Sequence, residues 1–110
     1  MIPADVYKEF IRTGTEWAEA HCEASQLEDQ LKPMLASLTM AAKSVDGVGS
    51  MAEAKEIATS ASDYRQAIKD ANDSRLKANI AKVRYEATRA LFEAQRTAEA
   101  SERAAMRSAT

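Results

Sequence analysis

The chain contains neither proline nor glycine between Met51 and Thr110, and no other feature constrains the fold as strongly. These two residues are the strongest breakers of a helix, so their absence over this length predicts one continuous helix. Large apolar side chains recur along it at helical spacing, with an eleven-residue rhythm from Leu76 onward. We expect the following members of the series to form part of an oligomer core: Ile57, Tyr64, Ile68, Leu76, Ile80, Val83 and Leu91.

A first helix is predicted to precede this one. Pro3 suits the first turn of a helix, where its missing N–H would have had no partner. Apolar residues then recur every seven positions, in the pattern of a helix packed lengthwise against others. From this helix we assign to the oligomer core Phe10, Trp17, Leu27, Leu31, Met34 and Leu38. Because the pattern continues across Pro33, we expect a kink there, with a break into two helices as the alternative.

The segment between the two helices carries the strongest turn signal of the chain, Asp46-Gly47 followed by Gly49. Ser50 and Glu53 then have the spacing of a capping box, in which each side chain accepts a hydrogen bond from the other residue's backbone N–H. The sequence therefore predicts a single helical domain over residues 1–110, with a helix at about 4–44, a turn at 45–50 and a helix at about 51–107.

The composition favours an all-α fold with a thin core. Hydrophobic residues make up 45% of the chain but aromatic residues only 5%, and 29% are charged, a profile of long helices rather than of sheets. At about 1.5 Å per residue, the first helix would span about 60 Å and the second about 80 Å. Folded back as a long antiparallel hairpin, the second would extend past the first, and two helices alone bury little. We therefore expect hairpins to pair into a coiled-coil-like bundle, most simply a homodimer.

Basic residues form a second periodic series on the C-terminal helix. They recur every seventh residue, and aromatic residues lie three positions after two of them. This basic-aromatic ridge consists of Arg75, Lys82, Tyr85, Arg89, Phe92, Arg96 and Arg103. One interpretation is that its arginines flank the dimer seam and pair with acids of the partner. The first helix offers Glu9, Glu16 and Glu23 at the same spacing of seven, with Glu19 and Glu28 nearby. A second interpretation is that the ridge binds nucleic acid by phosphate pairing and base stacking. A third is that it binds an acidic surface of another protein.

Residues with potential chemistry are few and badly spaced for it. Cys22 is the only cysteine and His21 the only histidine. As neighbours on a helix they point about 100° apart, so we expect neither a metal site nor a nucleophile–base pair. No cofactor motif is present, and we expect no enzymatic activity. No apolar run approaches the length of a membrane span, and the N-terminus lacks the features of a signal peptide, which predicts a cytoplasmic protein without a membrane partner.

Three short elements near the C-terminus, Arg-Tyr-Glu, Phe-Glu and Arg-Ala-x-x-Arg, stand within an alanine-rich helical stretch. Residues 60–107, which contain them, resemble small all-helical accessory proteins of tailed bacteriophages, encoded among early genes for replication and recombination. The resemblance implies a protein of the host cytoplasm that recruits or inhibits a protein of nucleic-acid metabolism or host defence. Direct binding of DNA or RNA is the alternative, and a structural or scaffold component of the virion is the third hypothesis. The resemblance implies no catalytic residue.

Overall fold

A computed structural model describes residues 3–109 as three helices. Helix α1 covers Ala4–Lys43, helix α2 covers Met51–Ser60, and helix α3 covers Ser62–Ala109. No β-strand occurs within the described residues. The predicted all-α fold class is therefore confirmed.

Helix α1 is uninterrupted at Pro33. The proline lacks an N–H, so the carbonyl of Asp29 receives no hydrogen bond from that position. The flanking turns nevertheless remain helical. The free energy lost with one hydrogen bond is smaller than the stabilisation that the helix gains by packing its whole apolar face. The break into two helices, which was the alternative at this position, does not occur.

The second predicted helix is divided at Ala61, so the prediction of one continuous helix over residues 51–107 is wrong at this position. Ala61 is extended, with φ −61° and ψ 137°. Its N–H donates to the carbonyl of Ala58, and its own carbonyl accepts from Arg65, each at 3.1 Å. Hydroxyl residues surround it in the sequence Thr-Ser-Ala-Ser. Such side chains compete for backbone hydrogen bonds and weaken a helix interior without the clear signal of a proline or glycine.

The start of α2 follows the predicted cap with one difference. The Ser50 hydroxyl accepts a hydrogen bond from the N–H of Glu53 at 3.1 Å, as expected for an N-cap. The Glu53 carboxylate accepts from the N–H of Gly49 at 3.1 Å, one residue earlier than in a capping box. Gly47 has φ +90°, a backbone conformation that glycine adopts without steric cost, and it makes the turn before this cap.

The chain divides into two compact units, each of which contains parts of more than one helix. The first unit combines α1 up to Ala20 with α3 from Ala78 onward. The second unit comprises His21–Lys77. In the first unit Tyr7 lies beside Phe92, and Trp17 beside Tyr85, so the two helices run antiparallel there. This arrangement is consistent with the predicted helical hairpin.

The helices are packed through small side chains. The buried apolar residues are all alanines: Ala24, Ala42, Ala54, Ala58, Ala71 and Ala78. They are joined by Thr13, Thr39 and Ser74, and no large side chain is completely buried within residues 3–109. Methyl groups allow close approach of the helices but remove little apolar surface from water. The chain alone therefore has a thin core.

Candidate functional site

The two aromatic residues of the predicted ridge lie between helices. In the first unit the rings of Phe10 and Tyr85 stack with centroids 5.5 Å apart, and those of Phe10 and Phe92 at 4.7 Å. The Trp17 and Tyr85 rings stack at 5.2 Å. The assignment of Tyr85 and Phe92 to an exposed binding ridge is therefore wrong. They share the helix face of Ala78, which is buried against α1, because positions 78, 85 and 92 are seven residues apart.

Gly14 makes room for this aromatic cluster, the contact of Phe10, Trp17, Tyr85 and Phe92. A Cβ atom at Gly14 would lie 3.1 Å from Cε1 of Tyr85 and 3.3 Å from its Cδ1. Both distances are shorter than ordinary van der Waals contact. The bare backbone of Gly14 thus lets the Tyr85 ring lie close against α1, a role that the sequence analysis missed.

Arg75 is the centre of a polar cluster in the second unit. Its guanidinium donates two hydrogen bonds to the Glu28 carboxylate, at 2.6 and 2.9 Å, and one to the Ser25 hydroxyl at 3.3 Å. A fourth contact joins Nη1 of Arg75 to Nδ1 of His21 at 2.9 Å. A guanidinium can only donate, so Nδ1 accepts here and carries no proton. The pairing of this arginine with an acid of α1, predicted across a dimer seam, occurs within the chain.

This cluster changes the acidity of Glu28. Hydrogen bonds from Arg75 lower the pKa of Glu28 below its ordinary value, partial desolvation opposes this, and the positive charge of Arg75 lowers it further. The hydrogen bond with Glu28 in turn raises the pKa of Arg75. A lowered carboxyl pKa means that the ionised form stabilises the fold at neutral pH.

We expect Glu28→Gln to lower the thermal unfolding midpoint at pH 7 and to have little effect in acid. The stabilisation by ionised Glu28 is present above the unfolded-state pKa and is lost as pH falls through the lower folded-state pKa. The difference between wild type and variant should therefore shrink as pH falls below about 4. Thermal melts followed by circular dichroism from pH 3 to 8 test this, with the exposed Glu56→Gln as the matched control. A difference that stays constant with pH would contradict the assignment.

Other basic residues of the ridge pair within their own helix. Lys82 Nζ lies 3.9 Å from the Glu86 carboxylate and 6.0 Å from the centroid of the Trp17 ring. Arg89 donates to Glu93 at 3.1 Å. On α1, Arg12 bridges Glu9 and Glu16, two of the acids predicted to meet a partner's arginines. Hydrogen bonding to Arg12 lowers the pKa of Glu9. These exposed ion pairs are weak, but they give Lys82 and Arg89 acidic partners on their own helix.

Arg96 and Arg103 occupy the exposed end of α3. Together with Glu93 and Glu99 they line a shallow hollow on the surface of the first unit. All residues from 100 to 109 are exposed. Residues 93–109 contain three arginines and three glutamates, so this end of the helix has no net charge. Arg96 and Arg103 therefore lie in a stretch of balanced charge rather than in a basic one.

A row of apolar side chains is exposed along α3 in the first unit. Val83 is 65% exposed, Leu91 50% and Ile80 45%, with the alanines 87 and 94 between and beyond them. At 3.6 residues per turn this row lies roughly 150° around the helix from the positions of Ala78, Tyr85 and Phe92, which face α1. We call Ile80, Val83, Ala87, Leu91 and Ala94 the outer stripe. Its large members were all predicted to belong to an oligomer core.

The remaining predicted core residues have varied exposure in the monomer. Those partly covered by their own unit are Phe10, Trp17, Leu27, Leu31, Met34, Leu38, Tyr64 and Ile68. Ile57 and Leu76 of the second unit are exposed. Whether these side chains meet a second copy stays a prediction.

Neither a metal site nor a membrane span is found in the described part of the chain. No group of three or more His, Cys, Asp or Glu side chains within residues 3–109 is placed to hold a metal ion. No helix among these residues combines the length and apolar character needed to cross a bilayer. Comparisons with protein-family models, with curated proteins and with solved structures give no match to this chain.

Proposed function

We propose that this chain is a non-enzymatic helical protein that self-associates, most simply as a homodimer, and acts by binding other proteins. The outer stripe carries the proposal. Ile80, Val83 and Leu91 present apolar surface on the side of α3 that faces away from α1. A row of this kind at helical spacing is typical of a seam between helices, and a second copy offers the same row.

The lack of large buried side chains supports self-association. The buried apolar residues among residues 3–109 are all alanines, and no large side chain there is completely buried. Alanine methyl groups remove little apolar surface from water. A dimer through α3 would bury the larger side chains of the outer stripe and so add the apolar burial that an alanine core does not supply.

The exposed end of α3 is the proposed contact for a further protein. Arg96 and Arg103 form no ion pair with another described residue, and arginine is enriched among the residues that dominate protein interfaces. The resemblance of residues 60–107 to phage accessory proteins directs the search for this partner to nucleic-acid metabolism and host defence in the cytoplasm of a bacterial host. Binding would recruit or block the partner.

Direct nucleic-acid binding is the weaker hypothesis. Stacking on bases requires exposed aromatic faces, and Tyr85 and Phe92 are instead stacked on Phe10 and Trp17. The three glutamates within residues 93–109 would repel phosphates next to Arg96 and Arg103.

We expect light scattering to give twice the mass of the 12.0 kDa chain, unchanged between low and high salt. Salt leaves apolar packing intact while it screens exposed ion pairs, so a salt-resistant dimer would indicate an apolar seam, as the outer stripe offers. Addition of a short DNA duplex or single strand should leave the mass unchanged. Uptake of DNA at low salt and its release at high salt would replace this proposal with the nucleic-acid hypothesis. A monomer under all conditions would contradict the self-association.

A further inference from the structure

A second apolar surface lies in the second unit, between the end of α1 and the start of α2. It is a shallow groove of about 290 Å³. Its apolar lining comes from Leu35, Ala36, Met40 and Met51, and each helix adds one lysine, Lys32 from α1 and Lys55 from α2. Thr39 also lines it, but its hydroxyl donates to the carbonyl of Leu35 at 2.7 Å. The groove therefore combines apolar surface with positive charge.

The two methionines leave apolar surface open to water. Met40 is 63% exposed and Met51 51% exposed. Methionine side chains are flexible and polarisable, and they recur on surfaces that adapt to the shape of a bound helix or peptide. Because the Thr39 hydroxyl is already bound, an apolar side chain can enter the groove without leaving that hydroxyl unpaired. The lining thus favours an apolar side chain.

The lysines define the charge of the ligand. Neither Lys32 nor Lys55 makes an ion pair or hydrogen bond with another residue in the described range 3–109, whereas nearby Lys43 donates to the carbonyl of Gly49 at 3.2 Å. Two available ammonium groups on different helices complement carboxylates on either side of an apolar contact. The groove is shallow, and its volume of about 290 Å³ is at the lower limit for cavities that enclose a small molecule, which favours a single side chain of a larger partner.

We propose that this groove binds an acidic amphipathic segment of another protein. The segment places one large apolar side chain against Met40 and Met51, and its carboxylates pair with Lys32 and Lys55. This site involves none of the outer stripe, so it adds a docking surface to the proposed self-association and does not depend on it.

Fluorescence anisotropy with a labelled synthetic peptide tests the proposal. The probe is a helix-forming peptide with a central phenylalanine and glutamates one turn before and after it, and its counterpart carries lysines in place of the glutamates. The acidic peptide should bind, and the basic one at least about tenfold more weakly. The double variant Lys32→Glu, Lys55→Glu should lose binding by a similar factor, and so should Met40→Gln with Met51→Gln. The matched control Lys8→Glu, Lys77→Glu makes the same charge change on exposed residues outside the groove.

Several results would overturn the site. Equal binding of both peptides would show that the groove does not select for carboxylates. An equal loss of peptide affinity in the groove variant and in the control variant would show that only the net charge of the protein matters. Circular dichroism must show unchanged helicity, and Met40→Ala, a milder change, should still weaken binding measurably. If the lysine variants change the mass measured by light scattering, the groove is a contact between copies of this chain. Displacement of the peptide by a fatty acid such as oleate, with no difference between the two peptides, would assign the groove to a lipid instead.

Discussion

Replacing Leu91 by aspartate is expected to convert the homodimer into monomers. Leu91 belongs to the outer stripe, which a second copy would cover. A carboxylate in that seam would be buried without a partner, at a cost of several kcal/mol, which weakens the dimer at least about a hundredfold. Val83→Asp should have the same effect because Val83 is the most exposed large residue of the stripe. Light scattering at micromolar protein should then give the mass of one chain.

The control for this prediction is Asn79→Asp. It makes the same change of charge on the same helix at an exposed position, roughly 80° around the helix from the centre of the stripe. The control should remain dimeric. If Leu91→Asp and Val83→Asp also stay dimeric while their helicity is unchanged, the seam lies elsewhere, and the exposed Ile57 and Leu76 become the residues to test.

Gly14→Val is expected to destabilise the fold by about 1–3 kcal/mol. A Cβ added at this position would lie 3.1 Å from the Tyr85 ring, and the two γ carbons of valine would extend further. The ring has little room to move, since it stacks on both Phe10 and Trp17. Helix propensity alone favours valine over glycine by a few tenths of a kcal/mol, so a loss of stability identifies the clash. Chemical denaturation measures the free energy of unfolding.

A double-mutant cycle with Tyr85→Ala separates the clash from other effects of valine. Removal of the ring should make Gly14→Val nearly neutral, so the two substitutions should be strongly coupled. Ala90→Val, at an exposed position of α3, should cost only about 0.5 kcal/mol. Independent, additive effects of Gly14→Val and Tyr85→Ala would contradict the close contact between these two residues.

The helices could be predicted from the sequence because their signals are local. The turn at Gly47 and the cap at Ser50 lie where the residue types require them. Continuation of α1 through Pro33 followed from the unbroken apolar spacing. The interruption at Ala61 was missed because serine and threonine lower helix propensity only slightly, and no residue there forbids a helix.

The orientation of α3 was the harder problem, because two of its faces have apolar residues at helical spacing. One carries Tyr85 and Phe92, and the other carries Val83 and Leu91. Periodicity identifies both faces but does not say which one meets α1. The available signal was Gly14 between Phe10 and Trp17, since a glycine within an aromatic series leaves room for a ring from the facing helix. Likewise, Arg75 has the spacing of the ridge, but its hydrogen-bond partners Ser25 and Glu28 belong to α1, far away in sequence. Spacing along one helix does not identify such partners.

The alanine-lined contact between the helices reverses the usual pattern of tolerance to substitution. In an ordinary core, large side chains resist being shortened. Here Ala24, Ala54 and Ala71 carry only a methyl group and are almost completely buried, so any larger side chain would push the helix backbones apart. We therefore expect these sites to tolerate only the smallest residues, whereas the larger, half-exposed residues around them can change in size. Lineages of this chain should therefore be recognised by the small residues that they retain.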